Sequence, residues 1–261
     1  MVYKLITHTI KEEHFDHPMA LEAINGVKLN GNGTMQYNNG YTNGNGNPNG
    51  NTPESMTVTE YFVPGSCSVF NTESAVKWRM DQRTIWARYL WRLRNYIVSA
   101  LHNGEDLAVV EEQLFQNIDE IGDSIRPYYG LVASKQLAQL MRSFVLTMLN
   151  IVQALKKNND SEVSSLGVKF KNEVSEFAKF LENLDPTDWP AEVVEKIFGE
   201  VAIAWQNQAR ARIAKNWPVD IDAVDTAHRI ILAGQDDGTP AFSDVFARGV
   251  ILKFPTRFVG E

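Results

Sequence analysis

Residues able to do chemistry are few in this chain, and their spacing limits what they could do. Asp225 and His228 stand three positions apart, which puts a carboxylate and an imidazole on one helical face, one turn apart. Such a couple can ligate a metal or act as a general acid–base pair, and it is the metal candidate of the sequence. No Glu-x-x-His occurs anywhere, so a dinuclear carboxylate site lacks ligands, and a structural hydrogen bond between the two is the simpler expectation. His14-x-x-His17, with His8, Glu12, Glu13 and Asp16 nearby, has ligand spacing only if that stretch is helical. Cys67 is the single cysteine, so an intrachain disulfide and a thiolate-rich metal site are both excluded. Glycines occur as Asn-Gly repeats without a following Lys-Ser/Thr, and neither Gly-x-Ser-x-Gly nor His-Glu-x-x-His is present. No catalytic residue and no cofactor is expected.

Two groups of charged residues need elements to hold them. Arg83, Arg88, Asn117, Asp119 and Glu120 could form an interior polar layer between two adjoining helices, because a guanidinium entering a bundle requires a carboxylate partner. A pocket for a small anion is the alternative. Lys77, Arg79, Arg83, Arg88, Arg92 and Arg94 interleave with Trp78, Trp86 and Trp91, a pattern that could meet phosphates and stack on bases. At helical spacing, however, these charges scatter around the circumference, which favours a solvated face with inter-helix ion pairs.

The chain has 261 residues, long enough to bury a substantial core. Its net charge of −7 opposes bulk attraction to nucleic acid or an anionic membrane. No run of about 18 apolar residues occurs, so no membrane span is expected. The start, Met1-Val2-Tyr3-Lys4-Leu5-Ile6-Thr7-His8, does not resemble a secretory signal. The location expected is intracellular, or inside a virus particle.

Hydrophobic spacing divides the chain at about residue 70. Residues 1–24 are mixed, with a weak helix expected from Lys11 to Ile24. Residues 25–51 hold ten Asn and seven Gly in 27 positions, too little apolar surface to offset their own ordering entropy. Residues 56–70 read as extended, being β-branched and aromatic up to Pro64-Gly65. Residues 1–70 are therefore expected to form an extended arm.

From 71 to 261 the apolar spacing is three and four throughout. A first helix carries Trp78, Ile85, Tyr89, Leu93, Ile97 and Leu101 and ends at His102-Asn103-Gly104. A second spans Leu107 to Ile125 and breaks at Arg126-Pro127-Tyr128-Tyr129-Gly130. A third runs from Leu137 to Leu155, a fourth from Val163 to Leu181, and a fifth follows Trp189-Pro190. Shorter helices are expected over 218–233 and 240–253. Short loops between long amphipathic helices force antiparallel neighbours. The fold predicted is an all-α, antiparallel up-down bundle of about five long and two short helices.

From about Trp78 to Phe258 the chain resembles a poorly characterised group of bacterial helix-bundle proteins. The residues that carry the likeness include Trp86-Ala87-Arg88, Asn117-Ile118-Asp119-Glu120-Ile121-Gly122, Pro127-Tyr128-Tyr129-Gly130, Trp189-Pro190, Asp225-Thr226-Ala227-His228 and Phe254-Pro255-Thr256-Arg257-Phe258. The resemblance implies a helical bundle and no established activity. It also implies one inward histidine on each of several helices, whereas Arg83, Phe144, Val201 and Ile230 stand at those positions here and only His228 remains. A metal site of that kind would therefore be lost in this chain.

The leading functional expectation is a non-enzymatic structural or interaction subunit of a larger assembly, such as a minor structural protein of a virus particle. It would bind other protein subunits through the N-terminal arm. A metal- or small-ligand-binding bundle is the alternative, followed by an enzyme of unrecognised type built on Asp225 and His228. Nucleic-acid contact through the first helix ranks last.

Overall fold

The computed structural model describes residues 69–235 and 238–259, together with the backbone of residues 7–9 and 34–36. The chain forms two compact units, Met1–Ser68 and Val69–Glu261. In the first unit, strands β1 (Thr7–Thr9) and β2 (Thr34–Gln36) pair in parallel. The helix expected from Lys11, the extended run over residues 56–68, Cys67 and the side chains of His8, His14 and His17 all lie outside the described residues. Val69 and Phe70, the last two residues of that run, are helical and turn rather than extended. Val69 is buried in the core of the second unit, which places the start of the body two residues earlier than the sequence division.

The second unit is the expected bundle. Its long helices are α1 (Glu73–His102), α2 (Leu107–Ser124), α3 (Arg126–Lys156), α4 (Asp160–Leu184) and α5 (Ala191–Ile213). The short ones are α6 (Trp217–His228), continued by a π turn over Arg229–Ala233, and α7 (Phe242–Lys253), followed by a 3-10 turn at Pro255–Arg257. Local chemistry fixes the boundaries. The Thr72 hydroxyl accepts from the Ala75 amide at 3.2 Å and caps α1. Asn159 Oδ1 accepts from the Glu162 amide at 3.2 Å while its amide donates to that residue's carboxylate at 2.9 Å, closing the start of α4. Asn103 and Asn158 take the left-handed conformation that ends α1 and follows α3, at φ 55° and 53°.

The break expected at Pro127–Gly130 is a kink inside α3. Gly130 there has φ 83° and ψ 175°, a conformation open only to glycine. By length and composition α3 would also pass as a membrane span, so the sequence argument against one is not sufficient by itself. Its packing makes it a core helix, since 61% of its most apolar stretch is buried inside the body.

Aromatic side chains from five helices meet in the centre. Trp86 of α1 packs edge-on against Phe242 and Phe246 of α7, with ring centroids 5.0 and 5.8 Å apart. Phe198 of α5 lies 5.1 Å from Phe242, 5.4 Å from Phe144 of α3 and 5.0 Å from Phe177 of α4. A second aromatic layer closes one end, where Trp78, Tyr128 and Phe258 gather and Trp189 stacks on Phe246 at 5.2 Å.

Gly249 of α7 is the point where this second layer leaves no room. A β-carbon there would lie 2.7 Å from the Trp189 ring. Helix propensity alone favours alanine by about 1 kcal/mol, whereas displacing a packed ring costs about 1–3 kcal/mol. Gly249→Ala is expected to lower the stability of the full chain in urea unfolding by about 1 kcal/mol. An unchanged or raised midpoint would show that the ring can move freely.

Candidate functional site

The five residues expected to form an interior polar layer are not together inside. Arg83 is exposed and turns to α7, where its Nε and Nη2 donate to the Asp244 carboxylate at 2.8 and 2.5 Å. This fork holds the guanidinium in its charged form and raises its pKa above the ordinary value. Arg88 is exposed and pairs with half-buried Glu120 at 2.9 Å. Asp119, also exposed, takes both its oxygens to Arg142 of α3, whose guanidinium lies 5.1 Å from the Phe115 ring. Asn117 alone is fully buried; its amide donates to the Ile85 carbonyl at 3.3 Å and to the Glu120 carboxylate at 3.4 Å, and its own oxygen has no partner among the described residues. The physical reason is desolvation. A long arginine or acid reaches water by bending outward, and a bundle surface lets it do so while still bridging two helices.

Among the described residues, the polar side chains with no exposed surface at all are Gln82, Asn117, Thr147, Gln208 and Ser243. Gln82 and Gln208 leave their amide groups without a protein partner among the described residues. A signal for Gln82 was present, because it falls at steps of four between Trp78 and Trp86 on the apolar stripe. The ion pair that is buried was not foreseen. Arg212 at the end of α5 pairs with Asp220 of α6 at 2.5 Å, with side chains 13% and 3% exposed, and ties the shorter helix to the longer.

Asp225 and His228 are both exposed, and neither side chain makes a hydrogen bond among the described residues. The bond expected between them is absent. Of the positions matched to inward histidines, Phe144, Val201 and Ile230 are buried and apolar, Arg83 is outside, and His228 faces solvent. No group of three possible metal ligands occurs among the described residues.

The basic helix is now resolved residue by residue. Lys77 pairs with Asp81, Arg83 with Asp244 and Arg88 with Glu120. Arg79 donates to the Phe70 carbonyl and Arg92 to that of Gln113. Arg94 has no ion pair or hydrogen bond among the described residues. Trp78 and Trp86 are core, which removes them from any base-stacking surface, while Trp91 is 62% exposed.

Three concavities are lined by described residues. One of about 600 Å³ lies between α1 and α7 around Arg79, Arg83 and Arg248. Another, of about 500 Å³, lies between α5 and α6 around Glu200, Asn207 and Arg229. The third, about 230 Å³, lies where α1, α5, α6 and the π turn meet, and it brings Trp91, Arg94 and His228 together over an apolar floor. The sequence singled out all three of these residues for other reasons and gave no sign that they converge.

No family model, no curated protein and no solved structure matches this chain. The likeness to the bacterial helix-bundle group therefore stands as a proposal, and the site rests on its own geometry.

Tyr89 gives the body a defined pH limit. It is 2% exposed, and burial lifts its phenol above the ordinary value of 10.0; Tyr96, Tyr128 and Tyr129 are shifted the same way by the same cause. A phenol that ionises in the unfolded chain but not in the folded one stabilises fully below the unfolded pKa, and that contribution is lost as pH rises through about 10 and beyond. Tyr89→Phe is expected to make the alkaline fall in urea stability above about pH 10 shallower, while shifting stability at pH 8 by less than about 1 kcal/mol. Identical alkaline limbs for the two proteins would remove Tyr89 from this role.

Proposed function

We propose that the protein is a non-enzymatic interaction subunit of a larger protein assembly, located within a cell or a particle. The observation that supports this is a row on α1. Val76, Met80, Arg83, Ala87 and Trp91 follow one another at steps of three and four and are all exposed, Arg83 while forked onto Asp244. Met80 and Trp91 are 64% and 62% exposed, although the opposite side of the same helix already closes the core. Tryptophan and arginine are the residue types that dominate binding hot spots, and an exposed methionine adapts to varied partner surfaces.

The composition of residues 25–51 supports the same reading. A segment so rich in Asn and Gly offers little apolar surface of its own to bury. The two features support a docking face on the body and an anchoring role for the first 68 residues toward other subunits.

The test compares the full chain with a form lacking residues 1–68, which stops short of the buried Val69. In extracts of its native cells the full chain is expected to sediment with a large assembly. The truncated body should keep its helical circular dichroism and cooperative melting yet leave that fraction. Met80→Asp should weaken association without changing the melting temperature by more than about 1 °C, as for surface substitutions generally. A full chain that sediments as a monomer, or a truncated chain that stays with the assembly, would contradict the proposal.

A further inference from the structure

The 230 Å³ concavity between α1, α5 and α6 has the makings of a ligand site. Its floor is apolar: Leu90 and Trp205 are nearly fully buried, and Val224 and Leu232 are half-buried. At its mouth stands Trp91, an indole with most of its surface in water. Arg94 and His228 also line it, and both are nitrogen donors with no partner among the described residues. Every other basic side chain of α1 is engaged by a carboxylate or a carbonyl of this chain. Among the described residues Arg94 is the one left over, and it stands at an apolar hollow.

The wall opposite α1 is formed by the end of α6 and the turn that follows it. The Gly234 amide bonds back to the Arg229 carbonyl at 2.8 Å, across five residues, so α6 ends in a π turn rather than in α geometry. Turns of this kind are ordinary at helix C-termini, and five-residue bonds also close α1, α3 and α5. Here the turn and the residue before it supply Leu232 and His228, two of the lining side chains.

The chemistry of the lining specifies the ligand class. A guanidinium presents a planar fork that matches a carboxylate in two parallel hydrogen bonds, and the imidazole N–H of His228 can donate a third. An indole face and an aliphatic floor favour a flat apolar group. The volume is below the about 300–1,000 Å³ of sites for drug-sized molecules, which limits the occupant to one or two rings. We propose that this pocket binds a small planar monocarboxylate, its ring system in the apolar slot and its charge on Arg94. The assignment does not depend on the assembly role, since it concerns a free small molecule.

The experiment titrates the purified full chain with 2-naphthoate and, separately, with the neutral isostere 2-naphthamide, followed by calorimetry and by tryptophan fluorescence. The expected result is saturable one-to-one binding of naphthoate, at least about tenfold tighter than naphthamide, the scale of one charged hydrogen-bonded contact. Arg94→Gln should weaken naphthoate by about tenfold and leave naphthamide unchanged. Trp91→Ala should weaken both ligands, and Val224→Trp, which fills the slot, should abolish both. Trp217→Ala removes the half-exposed indole outside the pocket and should change neither. Trp91 is exposed and Arg94 half-buried, and an unchanged circular dichroism melting curve for each variant shows that a loss of binding is local.

Equal affinity for acid and amide would overturn the proposal, as would naphthoate binding insensitive to Arg94→Gln or retained in Val224→Trp. Complete absence of naphthoate binding would also overturn it, and would leave the hollow to a side chain of a protein partner.

Discussion

Phe198 occupies the position on which the body depends, because its ring touches rings from three other helices and lies within reach of a fourth. Phe144, Phe177 and Phe242 all lie within 5.4 Å of it, centroid to centroid, and Trp86 is 6.3 Å away. Edge-to-face contacts of this kind contribute about 0.5–1.5 kcal/mol each beyond the burial of their area. They are also directional, so they fix how α1, α3, α4, α5 and α7 rotate about their axes. Once those rotations are set, the outward face of every helix is set as well.

That constraint explains where the charges went. With the centre filled by aromatic rings, no room remains for a layer of arginines and acids. Arg83, Arg88 and Arg142 instead bridge neighbouring helices from outside, to Asp244, Glu120 and Asp119. Surface pairs of this sort contribute little stability; what they do is orient exposed side chains. Rotation of α1 by its core residues likewise turns Met80 and Trp91 to solvent and brings Arg94 beside α6. The interaction face and the small pocket are both consequences of how the core seats one long helix.

Much of the architecture was legible in the sequence because helical periodicity and end signals act locally. Asn103 and Asn158 stopped helices where the sequence placed the stops, and Trp189-Pro190 preceded α5 as expected. The break read at Arg126–Gly130 is there: α2 ends at Ser124, and Gly130 at positive φ turns the chain between the first turn of α3 and its long body. The site was less legible. Spacing along one helix says which residues share a face, but not which face meets α7 rather than α2, so Arg83 was given the wrong neighbours. Asp225 and His228 share a helical side and still do not bond. The convergence of Trp91, Arg94 and His228 depends on helix packing across more than a hundred residues of sequence, and on a π turn that no spacing rule reveals.

The most direct test of the aromatic centre is a double-mutant cycle on Phe198 and Phe242, each changed to leucine so that the sites stay apolar. Urea unfolding of the two single variants and the double variant gives the coupling between α5 and α7. A directional ring contact at 5.1 Å should appear as a coupling energy of about 1 kcal/mol. If the two changes add to within about 0.3 kcal/mol, the rings serve only as bulk hydrophobic filling and do not set the rotation of the helices.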